Sequence, residues 1–169
     1  MKALLCLLSL QVLLLAPAHA DATYPTPEIT RIEALDAPGS VTWGMRGELG
    51  ETGHYVGLVM TCKTDGSRTG EVTVFFGSFP GQRHPVQLAV RSARGEVGRF
   101  GPVVAGGPES GFHSPRITDP DEAERFLRLA LAPGSLVSNG YRSFWNRVSE
   151  ARNREVLAAF VACARGQGW

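Results

Sequence analysis

Lysine is almost missing from this chain of 169 residues: apart from Lys2 only Lys63 is one, and arginine supplies every other basic side chain. That bias fits the coding preference of a GC-rich bacterial genome. Setting Lys2 aside leaves 16 of the 17 basic residues against 16 acidic ones. Without net charge there is no general electrostatic pull toward nucleic acid or an anionic bilayer, so neither is an expected partner. Cysteine is scarce too, at Cys6, Cys62 and Cys163. The missing C-x-x-C pair removes thioredoxin-type redox chemistry. Beyond Leu15 no apolar run is long enough to cross a bilayer as a helix. Internal repeats, coiled-coil heptads and, after Ala20, N-x-S/T acceptors are all lacking.

Recognisable catalytic patterns are missing as well. His54, His84 and His113 stand far apart in Gly-His-Tyr, Arg-His-Pro and Phe-His-Ser contexts, with no H-x-H or H-E-x-x-H pair. Catalytic zinc needs three protein ligands and supporting groups around them, so no metal or other cofactor is expected. Ser110 and Ser114 flank His113, but Gly-Pro-Glu-Ser-Gly is not a G-x-S-x-G nucleophile elbow. A small hydrolase using His113 with a nearby serine or carboxylate is therefore the alternative reading rather than the leading one. The glycine-rich stretch Gly98 to Gly111 matches neither the dinucleotide fingerprint nor the P-loop.

What is present begins with an export signal. Lys2 supplies a positive start, Ala3 to Leu15 an apolar run, and Ala18-His19-Ala20 a small-x-small cleavage pattern, which predicts a mature chain starting at Asp21. Cleavage would remove Cys6 and leave Cys62 and Cys163, an even pair that an exported chain is expected to join as one disulfide. Residues 21–169 are enough for one domain with its own core. The expected location is periplasmic or secreted.

The mature sequence then reads as strands followed by helices. Ile29 to Leu35 and Val41 to Arg46 are strand-like around the turn Ala37-Pro38-Gly39-Ser40, and Gly47 to His54 is a glycine-rich loop. Tyr55 to Cys62 is apolar and β-branched enough to be a central strand, paired with Glu71 to Phe79. Within the latter, Val72, Val74 and Phe76 share one face and Thr73 and Phe75 the other. Phe75 then either packs under a loop or belongs to an exposed binding patch. Val86 to Arg91 is a further strand, and Val97 to Val104 another, broken at Gly101-Pro102. Ala105 to Gly111 is a solvated loop or a recognition loop.

Asp119, Pro120 and Glu122 form the best-specified helix start, with cap, first-turn proline and capping box in order. Ala123, Phe126, Leu127, Ala130 and Leu131 follow at helical spacing until Pro133-Gly134. The acids Asp119, Asp121, Glu122 and Glu124 suit the positive end of that helix better than a catalytic pair. Asn139-Gly140 between Ser135–Ser138 and Tyr141–Trp145 is a hairpin signal of the type I′ kind. A closing helix over Asn153 to Arg165, capped by Asn153 or Ser149, has Val156, Leu157, Phe160, Val161 and Cys163 on its apolar face. Two arginine groups are candidate anion or partner sites: Arg91, Arg94 and Arg99, then Arg142 and Arg147 with Arg152 and Arg154 beyond them.

An export signal, an apolar strand ending in Cys62, a β-rich stretch, a helix like Glu122 to Leu131, a short hairpin and a last helix carrying Cys163 near Trp169 together resemble the TagO/VasI-type accessory proteins of type VI secretion. The invasion-associated locus B proteins are a second exported family of similar size. The resemblance implies a small periplasmic accessory or interaction module without known catalysis. The sequence thus predicts an α+β domain, a mostly antiparallel sheet covered by two helices and stapled by Cys62–Cys163, whose partner is a protein of the cell envelope.

Overall fold

A computed structural model describes residues 26–49, 54–76, 86–103, 114–140 and 142–166, with backbone alone at 48–49, 54–55, 86 and 102–103. Its described residues form ten strands and two helices in an α+β arrangement. The strands are β1 (Glu28–Ile29), β2 (Ile32–Ala37), β3 (Ser40–Leu49), β4 (His54–Lys63), β5 (Glu71–Phe76), β6 (Val86–Arg91), β7 (Val97–Val103), β8 (Arg116–Ile117), β9 (Leu136–Ser138) and β10 (Ser143–Asn146). The helices are α1 (Pro120–Ala130) and α2 (Glu150–Ala164).

The strands make two five-stranded sheets rather than the one expected: β1-β10-β9-β6-β7 and β2-β3-β4-β5-β8. Every pairing is antiparallel except β1 with β10. The division is made at Thr30-Arg31, inside what the sequence presents as one strand. Ile29 pairs with Asn146 in the first sheet, and Ile32 pairs with Met45 in the second. Both isoleucines are buried, so crossing between sheets lets each fill the core from a different side.

One core serves both sheets. Trp43, Met45, Leu58, Met60, Val72 and Val74 come from the second sheet, Leu88, Val90, Phe100, Val137 and Phe144 from the first. Phe76 and Phe144 meet across the sheets with ring centroids 5.8 Å apart. On β5 the expected alternation holds at its apolar face, since Val72, Val74 and Phe76 are all buried. Phe75 is half-buried on the other face, opposite Gly57. Gly57 has φ +148°, and a Cβ there would run into the backbone carbonyl of Met45. Only a residue without a side chain lets β3 and β4 stay paired at this point.

Helix α1 begins as its sequence dictates: the Asp119 carboxylate accepts from the Glu122 N–H at 2.8 Å, and Pro120 occupies the first turn. Its buried face places Phe126 edge-on to Phe100, centroids 5.1 Å apart. Helix α2 starts earlier than expected, at Glu150, with Ser149 as its cap. Asn153 is not the cap. It is 2 % exposed, and its amide donates to the Val148 carbonyl, 3.1 Å away. Val156, Phe160, Cys163 and Ala164 are buried, and Phe160 and Ala164 press on Gly70 so closely that a Cβ there would lie 2.9 Å from each.

The disulfide joins Cys62, at the end of β4, to Cys163, with Cα atoms 6.1 Å apart. It fastens α2 to the second sheet across 101 residues of chain. Two other expectations change. Gly101-Pro102 does not end β7, because the pairing with β6 shifts register between Val86 and Leu88 and runs on to Val103. The Asn139-Gly140 turn is not type I′, which needs positive φ at both central residues. Gly140 has φ +88°, but no described residue other than glycine has positive φ. Instead Asn139 N–H donates to the Arg142 carbonyl, and the Asn139 side-chain oxygen accepts from the Arg142 N–H at 2.8 Å. That gives a connection of residues 139–142 between Ser138 and its partner Ser143.

Candidate interaction face

Both helices lie on the core side, so the opposite face of the first sheet carries side chains outward. Cross-strand partners in an antiparallel pair share a face, and the register therefore names the rows. One runs Glu28, Trp145, Leu136, Arg91, Val97, and the next Ser143, Ser138, Ala89, Arg99. Exposure agrees: Leu88, Val90, Phe100, Val137 and Phe144 on the core side are at most 1 % exposed, while Arg91, Val97 and Arg99 are exposed. Val97, at 58 %, is the large hydrophobic side chain most open to solvent among the described residues.

This register brings together residues that the sequence keeps more than forty positions apart. Arg91 and Arg99 sit diagonally across β6 and β7, about 7–8 Å apart for such positions, with Val97 beside the first and Ala89 beside the second. Arg94 is exposed in the turn joining those strands. At the far end of the row the Arg147 guanidinium lies over the Trp145 ring, 5.1 Å from its centroid, and pairs with Glu28 at 3.0 Å. The same side chain reaches toward the β6–β7 turn. A Cβ on Gly134 would sit 3.5 Å from Ala93 Cβ and 3.8 Å from Arg147 Nη1, and glycine with φ +71° leaves that corner open.

Arg142 does not join them. Its guanidinium donates to the Phe76 carbonyl at 3.2 Å, which ties the β9–β10 connection to the second sheet. Arg152 also turns elsewhere, donating to the Ile32 carbonyl at 3.3 Å and pairing with Glu155. The second arginine group is thus split by the fold, while the first is joined to Arg147.

The charge balance of this face differs from that of the rest of the protein. Among the described residues Arg68, Arg116, Arg125, Arg128, Arg147, Arg152 and Arg165 form ion pairs with described acids. Among the described residues Arg91, Arg94 and Arg99 have no acidic partner, and Arg99 donates only to the Gln87 amide at 3.4 Å. The nearest acid in sequence, Glu96, accepts from the Ser92 hydroxyl on the opposite side of the strand pair. Nothing in the sequence marks this difference, because ion pairing depends on which helices and strands become neighbours.

The acids at the start of α1 are all engaged. Asp119 caps, Asp121 pairs with Arg68, Glu122 with Arg125, and Glu124 with both Arg128 and Arg165. Burial by itself would raise the Glu124 carboxyl, but hydrogen bonds and charge from Arg128 and Arg165 outweigh it and hold it below the usual carboxylate range. Such an arrangement locks α1 to the end of α2. It leaves no paired acid free for proton transfer.

His84, His113 and Ser110 lie outside the described residues, as does the loop Ala105 to Gly111, and the His54 side chain is likewise not described. Among the described residues no group of three histidine, cysteine, aspartate or glutamate side chains is placed to hold a metal ion. A cleft of about 140 Å³ between the end of α1 and the start of α2 is lined by Arg128, Glu150, Arg154 and Leu157 among others. Typical ligand pockets run from about 300 to 1,000 Å³. No described helix is long and apolar enough to cross a membrane.

A scan against protein-family models finds no match to this chain, and searches of curated proteins and of solved structures return no similar chain.

Proposed function

We propose that this protein is an exported binding or accessory module of the cell envelope, working without catalysis through the outward face of its first sheet. The observation that carries the reading is the convergence of Arg91 and Arg99 with Val97, Leu136 and Trp145 on one sheet face that neither helix covers, with Arg94 exposed in the turn at its end. Arginine and tryptophan beside apolar side chains is the composition of protein contact sites, where a few such residues supply most of the binding energy. The disulfide supports an oxidising compartment, and Met1 to Ala20 has the layout of a cleaved leader. The resemblance to TagO/VasI-type accessory proteins suggests an envelope assembly as the setting.

The test places a photo-crosslinking amino acid at Val97 in the full-length chain expressed in its bacterial host, with the same residue at Asp36 of β2 as a control. A discrete adduct at Val97, absent at Asp36 and lost on Leu136→Asp, is expected in the periplasmic or secreted fraction. Retention of the protein in the cytoplasm, or no adduct specific to Val97, would overturn the reading.

A further inference from the structure

We infer that the partner of this face is an extended protein segment that presents a pair of carboxylates flanked by apolar side chains on one face, an inference that rests on the face being a binding surface as proposed above. Three positive charges, on Arg91, Arg94 and Arg99, lie at one end of the first sheet with no acidic partner among the described residues. Elsewhere among the described residues most arginines are paired with acids, so the acids missing from this end of the face are the ones a partner would bring. The guanidinium fork favours carboxylate or phosphate oxygens taken two at a time.

The apolar residues decide between those anions. Val97 lies directly across from Arg91, and Ala89 directly across from Arg99, so cation and hydrocarbon alternate in both directions over β6 and β7. A polyphosphate or sulfated glycan is matched by an unbroken basic stripe and gains nothing from covering Val97, the most exposed large hydrophobic side chain described. An extended peptide has side chains of one face about 6.6–6.8 Å apart. That repeat is close to the diagonal of about 7–8 Å between Arg91 and Arg99. Acidic residues two positions apart share one face of such a peptide and can therefore meet the two guanidiniums, while apolar side chains two positions further along that same face reach Val97 and Leu136. Arg147 does not compete for the acid, since its guanidinium lies against the Trp145 ring and pairs with Glu28.

The experiment uses the mature, disulfide-bonded protein and a fluorescein-labelled Glu-Leu peptide of sequence Leu-Ser-Glu-Ser-Glu-Ser-Leu, whose extended form carries both acids and both leucines on one face, read by anisotropy. The controls are a Lys-Leu peptide, inorganic phosphate, heparin, and vesicles of equimolar phosphatidylethanolamine and phosphatidylglycerol. The expected result is saturable binding of the Glu-Leu peptide alone, weakened by added NaCl and reduced about tenfold or more by the double substitution Arg91→Glu with Arg99→Glu, because charge reversal replaces attraction by repulsion. The exposed substitution Arg154→Glu on α2 should leave it unchanged, and circular dichroism of each variant checks that the fold is kept. Equal binding by the reversed variant, no binding of the Glu-Leu peptide, or arginine-dependent binding of heparin or vesicles in its place would each overturn the inference. Its failure is separable from that of the proposed function: if the Val97 crosslink persists in the charge-reversed protein, the face binds a partner that is not acidic, whereas loss of specific crosslinking in the unaltered protein removes the binding face itself.

Discussion

Asn146 and Asn153, both 2 % exposed or less, share a hydrogen bond of 3.3 Å inside the core. The Asn146 amide also donates to the Ala130 carbonyl at 3.0 Å, where the Ser135 hydroxyl donates as well at 2.6 Å. Ala130 is the last residue of α1, and its carbonyl is one of those a helix leaves without an internal partner. The Asn146 side-chain oxygen accepts from the Val148 N–H, which starts the chain toward α2. Two asparagines thus finish one helix and launch the next. Replacing Asn146 by Ala would strand the Val148 N–H and the Asn153 oxygen in the core, at about 1–3 kcal/mol for each unmet group. Urea unfolding should show a loss of that size for Asn146→Ala. The pair Asn146→Ala with Asn153→Ala should lose less than the sum of the two, because the groups belong to one network.

The disulfide makes a second, larger claim on stability. A bridge that closes a loop of about 100 residues is worth about 4–5 kcal/mol on the chain-entropy model, and Cys62–Cys163 closes one of 101. Reduction and alkylation should lower the urea midpoint steeply or unfold the domain outright. Intact mass of the purified protein should show the two thiols blocked from alkylation until a reductant is added.

How much of this was readable beforehand depends on whether a feature is local. The α1 start was legible because cap, proline and acids all act within four residues of one another. The β4 and β5 strands are legible for a similar reason: the apolar, β-branched run of one and the alternation of the other are written along the chain. The cysteine pairing followed from there being only one partner for Cys62 once Cys6 is set aside. What stayed hidden was set by distant neighbours. Ile29 and Ile32 go to different sheets because Asn146 and Met45 wait there. Asparagine favours caps, which makes Asn153 as good a candidate as Ser149 in the sequence, and only the arrival of Asn146 beside it makes burial the better use of its amide. The candidate arginines fare likewise, with Arg91 and Arg99 brought onto one face with Trp145 through β9 while Arg142 is drawn off by the Phe76 carbonyl.

Acid should loosen the joint between the two helices. Glu124 is 13 % exposed at its side chain and bridges Arg128 and Arg165, and its carboxyl is held below the ordinary value near 4.5. The unfolded chain therefore takes up a proton there before the folded one does. The stabilisation is fully present above the unfolded value and is lost as pH falls through the lower folded one. Glu124→Gln removes the titrating group. The difference in unfolding free energy between the native protein and this variant should be largest near neutrality and shrink as pH drops below about 4.5. A difference that stays constant from neutral to strongly acid pH would contradict the assignment.

Gly57 should be the least replaceable residue of the second sheet. Its φ of +148° lies where side chains are strained, and a Cβ there meets the Met45 carbonyl of β3 rather than a movable side chain. Backbone strain alone costs about 1–3 kcal/mol at such a position, and β3 must also move away from β4 to relieve the contact. That pairing carries Met45, Leu58 and Met60 into the core, so displacement there disturbs packing on both sides. Gly57→Ala is expected to fall by at least about 3 kcal/mol, or to accumulate unfolded. Gly66→Ala is the comparison, because it too has positive φ, +79°, but nothing within 4 Å of its Cβ position. It should lose only about 1 kcal/mol, from the strain of a left-handed residue. Thermal melts of the two variants side by side separate strain from collision; equal losses would show that the close approach of β3 and β4 is not what holds Gly57 in place.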